Sequence, residues 1–133
     1  MKTPEDIFDD IYAHIKGSAL ETECSGLLSE ERPVGSKKED ITIVVFPATG
    51  GQHQMASVNV NIYVPDIQTE HGQWRRNRAR CRKIASVAAE VLKHQGVNKD
   101  YRFTLSQQGI TKSFEGKNEH IINTRLDYQV VNN

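Results

Sequence analysis

The chain has 133 residues, room for one ordinary hydrophobic core and not for two, so a single domain over 1–133 is expected. Its 17 basic and 17 acidic residues cancel, which argues against a surface that grips DNA or anionic membrane all over. With 37% apolar residues and 9 glycines the composition is that of a folded domain, and disorder driven by charge repulsion is excluded. The opening Met1-Lys2-Thr3-Pro4-Glu5-Asp6 lacks the apolar run of a signal peptide, and no later stretch has the roughly 18 apolar residues of a membrane span. A cytoplasmic protein without membrane contact is the expectation. Its two cysteines, Cys24 and Cys81, form no CxxC and read as free thiols of a reducing compartment.

Thr3-Pro4-Glu5-Asp6 opens a helix: threonine caps, proline suits the first helical position, and the acids meet the positive end of the dipole. The helix runs to about Lys16, with Ile7, Phe8, Ile11, Tyr12 and Ile15 on one face and Asp6, Asp9, Asp10 and His14 outward, and Gly17 stops it. Gly26-Leu27-Leu28 reads as a short strand, and 29–38, with Pro33 and Gly35, as a mobile loop. Residues 41–46 read as a strand apolar on both faces, hence central or covered twice. After a turn at Gly50-Gly51, Val58, Val60, Ile62 and Val64 alternate with Ser57, Asn59, Asn61 and Tyr63, a strand with one dry and one wet face that Pro65 ends.

A second helix is predicted over 73–94, with Trp74, Cys81, Ile84, Ala85, Ala88, Val91 and Leu92 on one face and Gly96 closing it. Two strands follow, one through Tyr101, Phe103 and Leu105, the other through Ile122, Thr124, Leu126, Tyr128 and Val130, joined by a turn-rich connection over 109–118. The order helix, three strands, helix, two strands predicts an α+β fold: a mostly antiparallel sheet with both helices packed on one face.

Catalytic and cofactor signatures fail one by one, and no catalytic, cofactor-binding or metal residue is assigned. The five histidines form no ligand spacing. Asp66, Glu70 and His71 form the best candidate cation cluster, set against the plainer reading of a solvated loop. Cys81, on an apolar helix face, reads as a small buried hydrophobe, and Cys24 lacks the local signature of a nucleophile. Gly116-Lys117 has no upstream glycine at phosphate-loop spacing, and Asn118 stands where Ser or Thr is needed.

One surface feature stands out: Arg75, Arg76, Arg78, Arg80, Arg82 and Lys83 put six cations within nine residues. On a helix, Arg75, Arg78 and Arg82 make one stripe, and Arg76, Arg80 and Lys83 another. The plain reading is a solvated face whose stems snorkel around the core. The functional readings are docking on the acidic surface of a neighbouring subunit, or contact with nucleic-acid phosphates. Cations at a helix start oppose its dipole and repel each other, so compensation is expected. Glu5, Asp6, Asp9, Asp10, Glu30 and Glu31 offer the opposite patch on the same chain, and self-contact fits zero net charge better than DNA does.

Three segments in order carry a resemblance: the first helix with Gly26-Leu27-Leu28, Arg32-Pro33-Val34-Gly35-Ser36 and Glu39-Asp40-Ile41-Thr42-Ile43; then Val58-Asn59-Val60-Asn61-Ile62-Tyr63-Val64-Pro65-Asp66; then Glu119-His120-Ile121-Ile122-Asn123-Thr124-Arg125-Leu126-Asp127-Tyr128. Together they resemble the small tail-terminator and tail-completion (head–tail joining) proteins of long-tailed phages and prophages. The resemblance implies a non-enzymatic α+β subunit without cofactor that forms a homo-oligomeric ring, commonly six-fold. Its partners would be tail-tube and connector proteins, and it would be cytoplasmic during assembly and part of the virion tail afterwards. A nucleic-acid-binding module using the arginine-rich segment 75–83 is the alternative.

Overall fold

The structure, a computed structural model, describes residues 2–49, 54–93, 100–114 and 117–130, with the backbone alone for 47–49. The expected turn at Gly50-Gly51 and the helix closure at Gly96 lie outside the described residues.

Helix α1, Pro4–Ile15, starts as its sequence requires: the Thr3 side chain accepts from the Asp6 N–H at 3.1 Å, and Asp6 reaches back to the Thr3 N–H at 2.8 Å. It ends at Gly17, whose φ of 77° is the left-handed conformation glycine adopts without strain. A short helix not expected from the sequence, α2 (Ala19–Glu23), follows and buries Leu20. Then come β1 (Leu28–Ser29), β2 (Ile41–Thr49) and β3 (Met55–Pro65), a two-stranded ribbon of β4 (Ile67–Gln68) and β5 (Trp74–Arg75), α3 (Arg78–Lys93), β6 (Tyr101–Lys112) and β7 (Glu119–Val130).

The main sheet has the order β1-β2-β3-β7-β6, antiparallel except for the parallel β1–β2 pair. Register aligns one face across it, buried from β2 to β7 and opening at β6: Ile43, Val60, Thr124 and the exposed Gln108 lie in one row, Ile41, Ile62, Ile122 and the half-buried Ile110 in the next. On this face α1 packs on β2, and α3 packs on β6 and β7. Ile7, Ile11 and Ile15 of α1 and Cys81, Ile84, Ala88 and Leu92 of α3 complete the core. The α+β architecture with helices on one face is therefore as the sequence predicts.

The opposite face is mostly polar, and the 29–38 loop covers one end of it, where Thr42 is buried and Arg32 lies over the Tyr63 ring. Asn123 Nδ2 bridges Asn61 Oδ1 at 2.7 Å and Asn59 Oδ1 at 3.3 Å across the strands, and Arg125 donates to Ser57 Oγ at 3.0 Å. The wet face predicted for β3 is here. Of the two expectations for β2, central or covered twice, the first is met, since β2 lies between β1 and β3; on the polar face Val44 is half-buried and Phe46 is 54% exposed.

Two further boundaries differ from the sequence reading. Residues 74 and 75 are strand, not helix, and Trp74 is half-exposed instead of packed in the core. The predicted connection over 109–118 begins later, because β6 continues to Lys112 after a bulge between Leu105 and Gln107. The loop 29–38 is tied down by Arg32, described below.

Candidate functional site

Arginine side chains gather at three places in this molecule, at two of them on carboxylates. The first is at α3. Asn77 caps the helix, its Oδ1 accepting from the Arg80 N–H at 3.2 Å. Arg80 then forks onto Glu39, with Nε to Oε2 at 2.6 Å and Nη2 to Oε1 at 2.8 Å, while Nη1 reaches Glu23 Oε2 at 2.8 Å and Nη2 also meets the Glu23 carbonyl at 2.5 Å. The hydrogen bonds that Arg80 donates to Glu39 and Glu23 raise its affinity for its proton, and the one to Glu23 holds that carboxyl below its ordinary value. This cation is therefore spent inside the subunit, and Lys83 leans on the same Glu23 at 4.0 Å.

The second place is at Asp40, the next residue along from Glu39, which faces the other way. Arg32 Nε donates to Asp40 Oδ2 at 2.9 Å and its Nη1 to both oxygens of Glu119 at 3.0 and 2.8 Å, while its plane lies 4.0 Å over the Tyr63 ring. Burial alone would raise the Asp40 carboxyl. Hydrogen bonds from Ser36 Oγ, the Leu27 N–H and Arg32 outweigh it and hold the group below its ordinary value. Arg32 was no site candidate in the sequence, because only the fold brings Glu119 to it.

The third place is a cleft of about 530 Å³ between the start of α3 and the far end of β6. Ala79, Cys81 and Ile110 supply apolar wall, and Arg76, Arg78 and Arg82 form the rim. Among the described residues no carboxylate is within ion-pair distance of Arg75, Arg76, Arg78 or Arg82. The six-cation segment thus divides: Arg80 and Lys83 look inward to Glu23, Arg75 sits on the β4–β5 ribbon, and Arg76, Arg78 and Arg82 surround the cleft. The two stripes drawn on a continuous helix do not form, since Arg75 and Arg76 precede it.

The other sequence candidates disperse. Asp66 is buried, with Oδ1 at 2.7 Å from His120 Nδ1, whereas Glu70 and His71 stand exposed at the β4–β5 turn, which Gly72 closes with φ 81°. His120 was missed in the sequence for the same reason as Arg32: it is 54 residues away from Asp66. Among the described residues no group of three or more His, Cys, Asp or Glu side chains is placed to hold a metal ion. Cys24 and Cys81 are both free and buried. Burial, helped by the charge of Glu39, pushes the Cys24 thiol up to about 12, and burial raises Cys81 as well. Among the described residues no helix is long and apolar enough to cross a membrane.

Fold and site together define an α+β fold with arginine–carboxylate clamps and a cleft rimmed by arginines that meet no carboxylate among the described residues. No protein-family model and no curated protein matches the sequence. By fold the chain is similar to a chain of a solved structure described as "Virion of native gene transfer agent (GTA) particle", with a TM-score of 0.60 and 11% identity over 90% of this chain and 90% of that one. At that identity the likeness is one of fold.

Proposed function

We propose that this chain is a single-domain structural subunit of a phage-like virion, in the role of a tail-terminator or head–tail joining protein that assembles as a ring. The observation that carries the reading is the fold likeness to a chain of a gene transfer agent virion, which spans nine-tenths of both chains. The ordered segments of tail-terminator character in the sequence support it independently of the fold.

A non-enzymatic role agrees with how the polar groups are used. Arg80, Arg32, Glu23, Glu39, Asp40 and Glu119 satisfy one another, and Cys24 is held as a thiol by burial. The surface adds the arginine-rimmed cleft and the exposed apolar Phe46, Trp74 and Phe114, features that suit a subunit burying more area when assembled. On this reading the chain is cytoplasmic during assembly and part of the particle afterwards.

The test is particle composition. In cells that carry this gene among tail genes, purified particles should contain the chain at the head-proximal end of the tail, seen by immunogold labelling or cryo-electron microscopy. Deleting the gene should leave heads and tail tubes unjoined. Complete, joined particles formed without the chain would refute the proposal.

A further inference from the structure

The arginine-rimmed cleft needs an occupant with two properties: carboxylates for Arg76, Arg78 and Arg82, and apolar surface for the wall of Ala79, Cys81 and Ile110. The chain itself presents such an object. On α1, Glu5, Phe8, Asp9 and Tyr12 follow one another at helical spacings of three, one and three, which makes one continuous strip beside the buried Ile7, Ile11 and Ile15. Phe8 and Tyr12 are only half-buried and stack with ring centroids 5.9 Å apart. Glu5 and Asp9 are exposed, and no cation among the described residues is within ion-pair distance of either. Aromatic rings flanked by carboxylates match an apolar wall flanked by guanidinium groups, which also stack on aromatic faces.

The two surfaces are not neighbours within one subunit. α1 packs on β2 and meets only the end of α3, where His14 Nε2 lies 2.8 Å from the Val91 carbonyl, and the first residues of β6, where His14 sits edge-on to Phe103, while the cleft lies at the opposite end of both elements, at Arg76–Arg82 and at Ile110. Intramolecular pairing is thereby prevented, and contact between different copies is head-to-tail. A head-to-tail contact repeats from copy to copy and closes into a ring when its rotation allows.

We infer that the cleft between α3 and β6 is the socket for α1 of a second copy of this chain, which enters with Phe8 and Tyr12 against the wall and Glu5 and Asp9 on the arginine rim. The inference rests on the assembly reading above and names its subunit contact. The alternative macromolecule for three clustered arginines is nucleic acid, and the test separates the two.

Two charge-reversed chains are needed: a cleft variant, Arg78→Glu with Arg82→Glu, and a helix variant, Glu5→Lys with Asp9→Lys. All four side chains are exposed, so circular dichroism and thermal melting should report folded domains. In sedimentation velocity each variant alone should self-associate roughly a hundredfold more weakly than the wild type, because like charges now oppose each other at every contact. Mixed in equal amounts they should assemble again, since the acidic cleft accepts the basic helix and the unaltered cleft accepts the unaltered helix. Assembly of either variant at wild-type strength, or failure of two folded variants to rescue each other, overturns the socket. So does loss of duplex-DNA retention in the cleft variant with self-association unchanged, which assigns the arginines to phosphate. A wild-type chain that stays monomeric in solution also overturns the socket. It leaves the virion reading standing, because that reading is scored by the presence of the chain in particles.

Discussion

Glu39 and Asp40 are consecutive, and each closes a different side of the molecule. Glu39 takes the fork of Arg80 on the helix side, and Asp40 takes Arg32 on the side of Tyr63. Their backbone approaches the chain so closely at Gly26 that a methyl group there would lie 2.6 Å from the Asp40 nitrogen and the Glu39 carbonyl carbon, and closer still to Asp40 Oδ1. Backbone cannot yield as a side-chain tip can, so Gly26→Ala should destabilise by about 1–3 kcal/mol, the usual cost of overpacking, measured by urea unfolding. Cys24, two residues earlier, gives a second expectation. Its raised pKa means that the folded state holds the proton more tightly than the unfolded chain, so its stabilisation is complete below the ordinary value of 9.0 and is lost as pH climbs towards about 12. At pH 8 the native protein should resist iodoacetamide at Cys24 and be alkylated once denatured, which mass spectrometry reads directly. Rapid alkylation of the native thiol would contradict both its burial and its protonation.

At the scale of elements, what the sequence made legible follows from local physics. The cap and apolar spacing of α1 and the strict alternation of β3 are signals within one element, and both elements stand where they were expected. The start of α3 lies later than the apolar spacing indicates, because Trp74 falls on the helical stripe by spacing alone; the cap that decides the start is Asn77, and before it the chain pairs as the β4–β5 ribbon, with Ile67 opposite Arg75 and Gln68 opposite Trp74. The arginine segment was visible as composition, but which arginines are spent and which are free depends on Glu23, Glu39 and Ile110, supplied by distant parts of the chain. Long-range pairing also hid Arg32 with Glu119 and His120 with Asp66, for nothing local marks them. The α1 cap carries its own prediction. Thr3→Ala removes the acceptor for the Asp6 N–H and the hydroxyl that donates to Asp6 Oδ2 at 2.9 Å, so it should cost about 1 kcal/mol, read as a lowered denaturation midpoint. Thr3→Ser should restore most of it, because the hydroxyl does the capping.

The two arginine clamps matter most for the whole molecule, because each joins segments far apart in the chain. Arg32 and Asp40 belong to the first third and Glu119 to β7, so this clamp ties the 29–38 loop and the start of β2 to the last strand. Arg80 ties α3 to α2 and to the same start of β2. Each clamp holds a carboxyl whose affinity for protons is lower in the folded state: Glu23, ordinarily 4.5, and Asp40, ordinarily 3.8. The sign follows from proton counting. The unfolded chain takes up protons first, so the stabilisation is complete above these ordinary values and is lost as pH falls through the lower folded ones. Thermal midpoints of the wild type should therefore hold from pH 7 to about 5 and drop below about 4.5. A Glu23→Gln, Asp40→Asn double variant should melt lower than the wild type at pH 7. Its deficit should shrink steadily on acidification, because protonating the wild-type carboxyls removes the same charges that the substitutions remove. A deficit of constant size from pH 7 to 3 would mean that the clamps act through shape and hydrogen-bond geometry and that their charge contributes nothing.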